Sequence, residues 1–247
     1  MKKIAVAVLN KYAIYEAEKM AVCCARLTQR GEKIKSMEDF IELYERPYTE
    51  QTLTAMVNLP HPTLQKFSVI NVVVVGASRR FLAQITRHQN EVKFMSASMQ
   101  YSNYQDDADF VIPFDIKNPD DYIKALSAAS TKYKELIDQG VSNDSCGYIM
   151  PHALRNVLVI SATPYQWKHM ISQRICNRNT PETKYVMLKI WEALYELSPQ
   201  LFSIKTTGAF CQRGGCPEGR FSCGKVYSPD AKPTDLIKAM LVEYENE

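Results

Sequence analysis

The side chains best suited to bind or transform a ligand gather in residues 69–104, VINVVVVGASRRFLAQITRHQNEVKFMSASMQYSNY. Gln84, Arg87 and His88 are followed by Ser96, Ser98, Gln100, Tyr101 and Tyr104, so a cation, an imidazole, amides and hydroxyls crowd one segment. Such donors suit a phosphate-bearing ligand, whose oxygens take charge-assisted hydrogen bonds. The same residue types also fit an ordinary helix C-terminus, where exposed carbonyls and the macrodipole favour cations. Residue types alone leave both readings open.

Three further places carry groups capable of chemistry. His61 and Thr63 sit in the stiff stretch Leu59-Pro60-His61-Pro62-Thr63, and His169 and Arg174 lie on a helical pattern that begins at Pro164. Near the C-terminus, Cys211, Cys216 and Cys223 follow a C-x4-C-x6-C spacing in a Gly-rich segment. Thiolates in such a loop can surround one metal ion, because glycine permits the tight turns required. A loop of reduced thiols is the alternative. Asp106, Asp107 and Asp109 read as solvated turn acids. Neither a Ser-His-Asp set nor a carboxylate pair is evident.

The elements that must position these groups follow from hydrophobic period. The β-branched run from Val69 to Val75 reads as a buried strand, followed after Gly76-Ala77-Ser78 by a helix carrying Phe81, Leu82, Ile85 and His88. Residues 2–9 read as a short edge strand, and 14–29 as a helix ended by Gly31. Short helices are expected at 36–45 and 49–57, separated by Pro47. Residues 119–139 form an amphipathic pattern stopped by Gly140, and 154–160 a second β-branched strand. Further helices start at Pro164 and at Thr180-Pro181-Glu182, the latter running to about Leu197.

With 247 residues, 46% of them hydrophobic, the chain can bury a substantial core, and one α/β or α+β domain is the simplest count. Thirty basic and 27 acidic residues give a net charge of +3, a mixed surface that does not imply a nucleic-acid polymer. The N-terminal apolar run ending at Leu9 is short for an export signal and is followed by Asn10, Lys11 and a charged helix. No stretch is long enough to cross a bilayer. A cytoplasmic location is expected, where seven cysteines are thiols or metal ligands rather than disulfides.

The order of these groups resembles the flavin-dependent thymidylate synthases. That family carries Arg-His-Arg-x-x-Ser-x-Asn-x-x-Ser-x-Arg-Tyr, with a Gln three residues before the first Arg. Gln84, Arg87, His88, Ser98 and Tyr101 match when one residue is inserted. Further on, the family shows Leu-Pro, a strand, Asn-x-Arg-x-Trp-x-His-Phe-Ile-x-x-Arg and Cys-x-Arg-Ala-Gln-x-Glu-Ile. Pro151, Trp167, His169, Ile171, Arg174, Cys176, Arg178 and Glu182 stand at those intervals. A family His-x-Ser/Thr-x-x-Glu is met by His61 and Thr63, with Lys66 in place of the acid.

The resemblance implies an α+β fold with a central, mostly antiparallel sheet flanked by helices, in a single domain 1–247 with a Cys/Gly-rich segment at about 208–225. It implies reductive methylation of dUMP to dTMP with FAD, NADPH and methylenetetrahydrofolate, in a homotetramer whose sites draw on several subunits. His61, Thr63, Arg87, His88 and His169 would then meet the flavin or folate, and Gln84, Ser98, Gln100, Tyr101 and Arg174 the nucleotide. Cys176, which accompanies the cysteine tail in one branch of the family, would complete a zinc site with Cys211, Cys216 and Cys223. Several motif positions differ: Gln89, Gln100, Gly147 and Tyr165 stand where arginines are expected, and Thr163 where an Asn is. At about 1.5–3 kcal/mol per charge-assisted bond, the loss of two such arginines lowers anion affinity a hundredfold or more unless other cations replace them. A relative acting on another pyrimidine nucleotide, or a non-catalytic nucleotide-binding module, are the alternatives.

Overall fold

The computed structural model describes residues 4–245, so positions 2 and 3 of the expected first strand lie outside the described residues. The sheet is antiparallel throughout. β1 (Ala5–Val8) lies at one edge and pairs with β2 (Ile70–Ser78). β2 pairs with β4 (Arg155–Ala162), and β3 (Val92–Ser96) closes the other edge. Val72, Val74, Leu158 and Ile160 point to one face and are buried, as the period of two along each strand requires.

Helices cover that buried face. α1 (Tyr12–Arg30), α2 (Met37–Glu45) and α3 (Glu50–Val57) follow β1. α4 (Arg79–Ile85) follows β2, while α5 (Pro119–Asp138) and α6 (Asn143–Gly147) separate β3 from β4. After β4 come α7 (Pro164–Arg174), α8 (Pro181–Leu197), α9 (Ile204–Thr207) and α10 (Pro233–Glu245). α8 is the central helix: Met187, Leu188, Ile190, Trp191 and Leu194 are all fully buried. One core cluster runs from Ile4 to Met240, and a smaller one gathers Tyr133, Cys146, Met150 and Leu154.

One expectation is corrected: the helix after β2 ends at Ile85, with Thr86 as its cap, so Arg87 and His88 lie beyond it. Residues 92–96 form β3, a strand with no counterpart among the expected elements, with Val92 and Phe94 packed on the core. Alternation in Val-Lys-Phe-Met-Ser is short enough for the polar residues around it to hide. Gly31 caps the end of α1 as expected and opens a short 3-10 turn. α10 has no counterpart among the expected elements; Leu236, Ile237 and Met240 bury it.

A buried carboxylate fastens the two strand–helix units. Ser78 caps α4 by accepting from the Phe81 N–H at 3.1 Å, and its own N–H and O–H donate to Glu182 at 2.6 and 2.5 Å. Glu182 stands in the first turn of α8, where the helix dipole favours an anion. Burial raises its pKa, and the Ser78 bonds oppose that shift. Glu182→Ala removes both acceptors and leaves two donors dry, so unfolding in urea should show a loss of about 3–5 kcal/mol. Glu182→Gln, which keeps one acceptor, should lose less; equal stability of Glu182→Ala and the parent would show that this link carries no load.

Candidate active site

Arg174, at the last residue of α7, is the hub. Its Nε–H donates to His88 Nε2 at 2.9 Å, its Nη2 to the Gln84 carbonyl at 3.0 Å and its Nη1 to Asn179 Oδ1 at 3.4 Å. Three of a guanidinium's five N–H donors are thereby used, which leaves two for a ligand. Among the described residues no carboxylate pairs with it. Burial, and then Arg87 beside it, push its pKa down, so an anion arriving there would relieve both effects.

His88 is buried, and its role as acceptor from Arg174 fixes Nε2 as the unprotonated nitrogen. Its pKa falls to about 4, first through burial and then through Arg174 and His169. The His169 ring meets it edge-on, with centroids 5.9 Å apart. Gln84 is anchored by its Oε1, which accepts from the hydroxyls of Thr180 and Thr183 at the start of α8. Its amide NH2 then faces outward without a partner among the described residues. Gln84, Arg87, His88, His169 and Arg174 are therefore brought together as expected.

His169 also borders a cavity of about 440 Å³ between α7 and the 58–65 loop. Lys168, Lys205 and Arg213 line it, and no carboxylate does. Lys168 is buried, donates to Gln65 Oε1, and has its pKa lowered to about 7 by burial and then by Arg213. His61 and Thr63 are exposed on the 3-10 turn of that loop, whose Leu59 and Gln65 line the cavity. Arg213, Lys205 and Thr183 were not legible as site residues. Lys168 could have been singled out, because it falls four residues after Pro164 and three before Ile171, on the buried stripe of α7.

Ser98, Gln100 and Tyr101 are placed elsewhere. They belong to the loop after β3, where Ser98 Oγ accepts from the Gln100 N–H at 3.1 Å and Tyr101 is 82% exposed. That loop borders a separate cavity of about 660 Å³ through Met99, with Arg79, Leu82 and Ala83 of α4, its cap Thr86, and Gly147. α4 thus presents Gln84 to Arg174 on one side and the 79, 82, 83, 86 stripe to the second cavity on the other. Gly147, where an arginine is expected, borders the same cavity, and a Cβ there would meet only the Met99 side chain, at 3.4 Å. Two other departures meet in space: Lys66 Nζ lies 5.1 Å from the Tyr165 ring centroid and 2.7 Å from Glu91. Glu91 also accepts from Thr163, a third departure, at 3.2 Å. Cys176, Cys211, Cys216 and Cys223 are free thiols around one further cavity, but among the described residues no three Cys, His, Asp or Glu side chains stand close enough to hold a metal, so that cavity does not fit the expected zinc ion.

The lowered pKa of His88 has a definite sign in stability. Between about 6.5 and about 4 the unfolded imidazole binds a proton that folded His88 refuses, so His88 stabilises the fold above that window and the contribution is lost as pH falls. By NMR, His88 should titrate near 4 in the parent and at higher pH in Arg174→Ala, which removes a neighbouring charge. An unchanged midpoint in the variant would break the electrostatic link between the two residues.

Comparison with known proteins identifies the family. Residues 9–200 match the family described as "Thymidylate synthase complementing protein". The flavin-dependent thymidylate synthase of Geobacter sulfurreducens is 23% identical over 179 residues, covering 70% of this chain and 76% of that protein. That of Thermococcus onnurineus is 29% identical over 192 residues, covering 74% and 78%. Among solved structures, a UMP/dUMP methylase PolB from Streptomyces cacaoi bound with 5-Br dUMP superposes with a TM-score of 0.65 at 15% identity, covering 84% of this chain and 97% of that one. Thymidylate Synthase X from Helicobacter pylori with FAD and dUMP gives 0.58 at 16%, covering 81% and 97%. With a family match over most of its length and the motif groups meeting around Arg174, the chain belongs to the flavin-dependent thymidylate synthase family.

Proposed function

We propose that the chain catalyses the reductive methylation of dUMP to dTMP, with FAD as cofactor, methylenetetrahydrofolate as carbon donor and NADPH as reductant, in the cytoplasm. The observation that carries this reading is Arg174, a half-buried cation held by a neutral imidazole, with two donors left over and no carboxylate partner among the described residues. Such a group gains most from an anionic ligand. The donor set fits a phosphorylated, planar cofactor as well: His169, whose ring meets that of His88, borders the carboxylate-free cavity of Lys168, Lys205 and Arg213, beside the loop of His61 and Thr63. Among the described residues no helix is long and apolar enough to cross a membrane.

FAD, when bound, supplies the electron and hydride transfer that no side chain of this site can perform. The protein's own contribution is orientation and charge. Arg174 would hold the nucleotide phosphate, and the outward amide of Gln84 would donate to a uracil carbonyl. Thr180 and Thr183 fix that amide, since both hydroxyls donate to the Gln84 Oε1. His88 stays neutral at working pH, so it keeps accepting from Arg174 and adds no proton of its own.

Ser98, Gln100 and Tyr101 would reach a nucleotide held by another subunit, because α4 stands between them and Arg174 in one chain. Self-association has a surface to use. The solvent side of the sheet carries Ala7, Val73, Val159 and Met95 in one row and Ala5, Val75 and Val157 in the next. Val75, Val157 and Met95 are 43%, 45% and 74% exposed, an apolar face that a homotetramer would cover. A single domain over 1–247 is supported by the core cluster that joins Ile4 to Met240. A second reading, action on a different pyrimidine nucleotide, is favoured by Gly147 and Gln100 at arginine positions.

FAD and then dUMP titrated into the purified chain should give a flavin spectrum and saturable nucleotide binding, with methyl transfer when methylenetetrahydrofolate and NADPH are added. Arg174→Ala should weaken dUMP about 10- to 100-fold with unchanged circular dichroism. Colourless protein that takes up no FAD would defeat the enzyme reading, and UMP turned over in preference to dUMP would select the second. Light scattering should show a tetramer that Val157→Glu reduces to smaller species; a monomeric parent would remove the shared-site arrangement.

A further inference from the structure

The cavity beside His169 holds more positive charge than the family motifs account for. Lys168 reaches it from α7, Lys205 from α9 and Arg213 from the 3-10 turn Phe210–Arg213. The family match covers residues 9–200, so Lys205 and Arg213 belong to a part of the chain outside it. Among the described residues none of the three cations forms an ion pair. Asp230 borders a neighbouring cavity that shares Lys205 and Arg213, yet it pairs with neither.

Neutral partners hold these cations in place. Ser172, buried on α7, donates to the Thr207 carbonyl at 3.0 Å and fastens α9 beside Lys168. Gln212 is buried next to Arg213, and its amide donates to the Ser228 and Ala231 carbonyls at 2.9 and 2.7 Å, which pins the turn. Arg213 lies over the Phe210 ring, 4.9 Å from its centroid, and gives one N–H to the Thr206 carbonyl at 3.2 Å, which leaves four of its five donors for a ligand. Lys168 gives one of its three to Gln65, itself buried and tied to the Val57 carbonyl at 2.7 Å. A buried ammonium with only a neutral partner is costly, and an arriving carboxylate would restore the charge that burial and Arg213 withdraw.

The walls narrow the ligand's chemistry. Leu59, Tyr165 and Phe210 set apolar and aromatic surface among the cations, so the best occupant joins an aromatic ring to more than one anionic group. About 440 Å³ suits a fragment of that kind. In the function proposed above, the carbon donor has such an end, because its p-aminobenzoyl ring carries a glutamate with two carboxylates. The loop of His61 and Thr63 runs into the cavity through Leu59 and Gln65. The competing anion is the flavin's pyrophosphate. It is flanked by sugars rather than by an aromatic ring, and every residue that the resemblance assigns to the flavin lies within the matched segment.

We propose that the cavity of Lys168, Lys205 and Arg213 binds the p-aminobenzoyl-glutamate end of the folate, with Lys205 and Arg213 on its carboxylates and its ring on the wall of Leu59, Tyr165 and Phe210. The inference rests on the chain's use of a folate. It makes α9 and the turn after it a specificity element for the carbon donor, apart from the groups that hold the nucleotide.

By calorimetry without oxygen, full-length chain loaded with FAD and dUMP should bind tetrahydrofolate about tenfold or more tightly than tetrahydropteroate, which lacks the glutamate. The preference should shrink as salt rises. Lys205→Ala with Arg213→Ala should erase it by weakening tetrahydrofolate alone, Lys205→Arg with Arg213→Lys should keep most of it, and Lys225→Ala, outside the cavity, should leave it whole. The comparison in the parent stands even where the double variant fails to fold. Equal affinity of the loaded parent for the two ligands would overturn this proposal and leave the proposed function standing. A double variant that loses FAD instead of tetrahydrofolate would assign the cations to the pyrophosphate and overturn it too. A chain that takes up neither FAD nor a folate would defeat the proposed function and this inference with it.

Discussion

The buried Glu182 carboxylate is the constraint on which the site depends. It joins the end of β2 to the start of α8 through Ser78, and one residue further on Thr183 takes hold of Gln84. The first turn of α8 thus sets both where α4 begins and how its last turn is rotated. α8 is in turn connected to α7 by a short segment, so Arg174 is carried to the same place. A buried carboxylate is costly when unpaired, and two short donors from a single serine satisfy it here. The same arrangement stabilises the fold and aims the polar groups, which is why changes at Glu182 reach the ligand site indirectly.

Much of the frame was legible because it rests on strong local signals. The run at Ile70–Ser78, the Pro-started helices at Pro119, Pro164 and Pro181, and the breaks at Pro47 and Gly140 announce themselves by composition. β3 was not legible, since five residues with alternating burial give little period to detect and their pairing with β4 is remote in sequence. The meeting of Gln84, His88 and Arg174 was expected from motif order rather than from chemistry; their contact spans 86 to 90 residues and no local pattern encodes it. Lys205 lies in a segment with no motif, and Arg213 lies inside the cysteine spacing, which does not mark it for this site. Only the fold places them beside His169.

The departures from the family pattern are easier to understand in pairs than singly. Lys66 replaces an acid and Tyr165 replaces an arginine, and the two face each other, with Glu91 taking the ammonium. Thr163 donates to the same Glu91, so three changed positions share one local network. Glu91 holds a left-handed backbone, φ 55°, at the entrance to β3, and those two partners fix its side chain there. A redistribution of contacts among these positions joins Lys66, Tyr165 and Thr163 through Glu91, where independent loss of each family residue would leave no such network.

That redistribution bears on how the two faces of α4 cooperate. Within one chain the Arg174 cluster and the Ser98–Tyr101 loop open on opposite sides of a helix of only seven residues. No rotamer change brings them onto one ligand, because the helix backbone itself intervenes. If both halves serve the same nucleotide, the second half must come from a neighbouring copy, and the apolar outer face of the sheet offers the means to bring one close. A site divided in this way makes binding depend on assembly. The cations are already gathered in one chain, Arg87 beside Arg174 and Arg213 beside Lys168, so a neighbouring copy would add the neutral donors of the Ser98–Tyr101 loop to a positive field that an anion can neutralise.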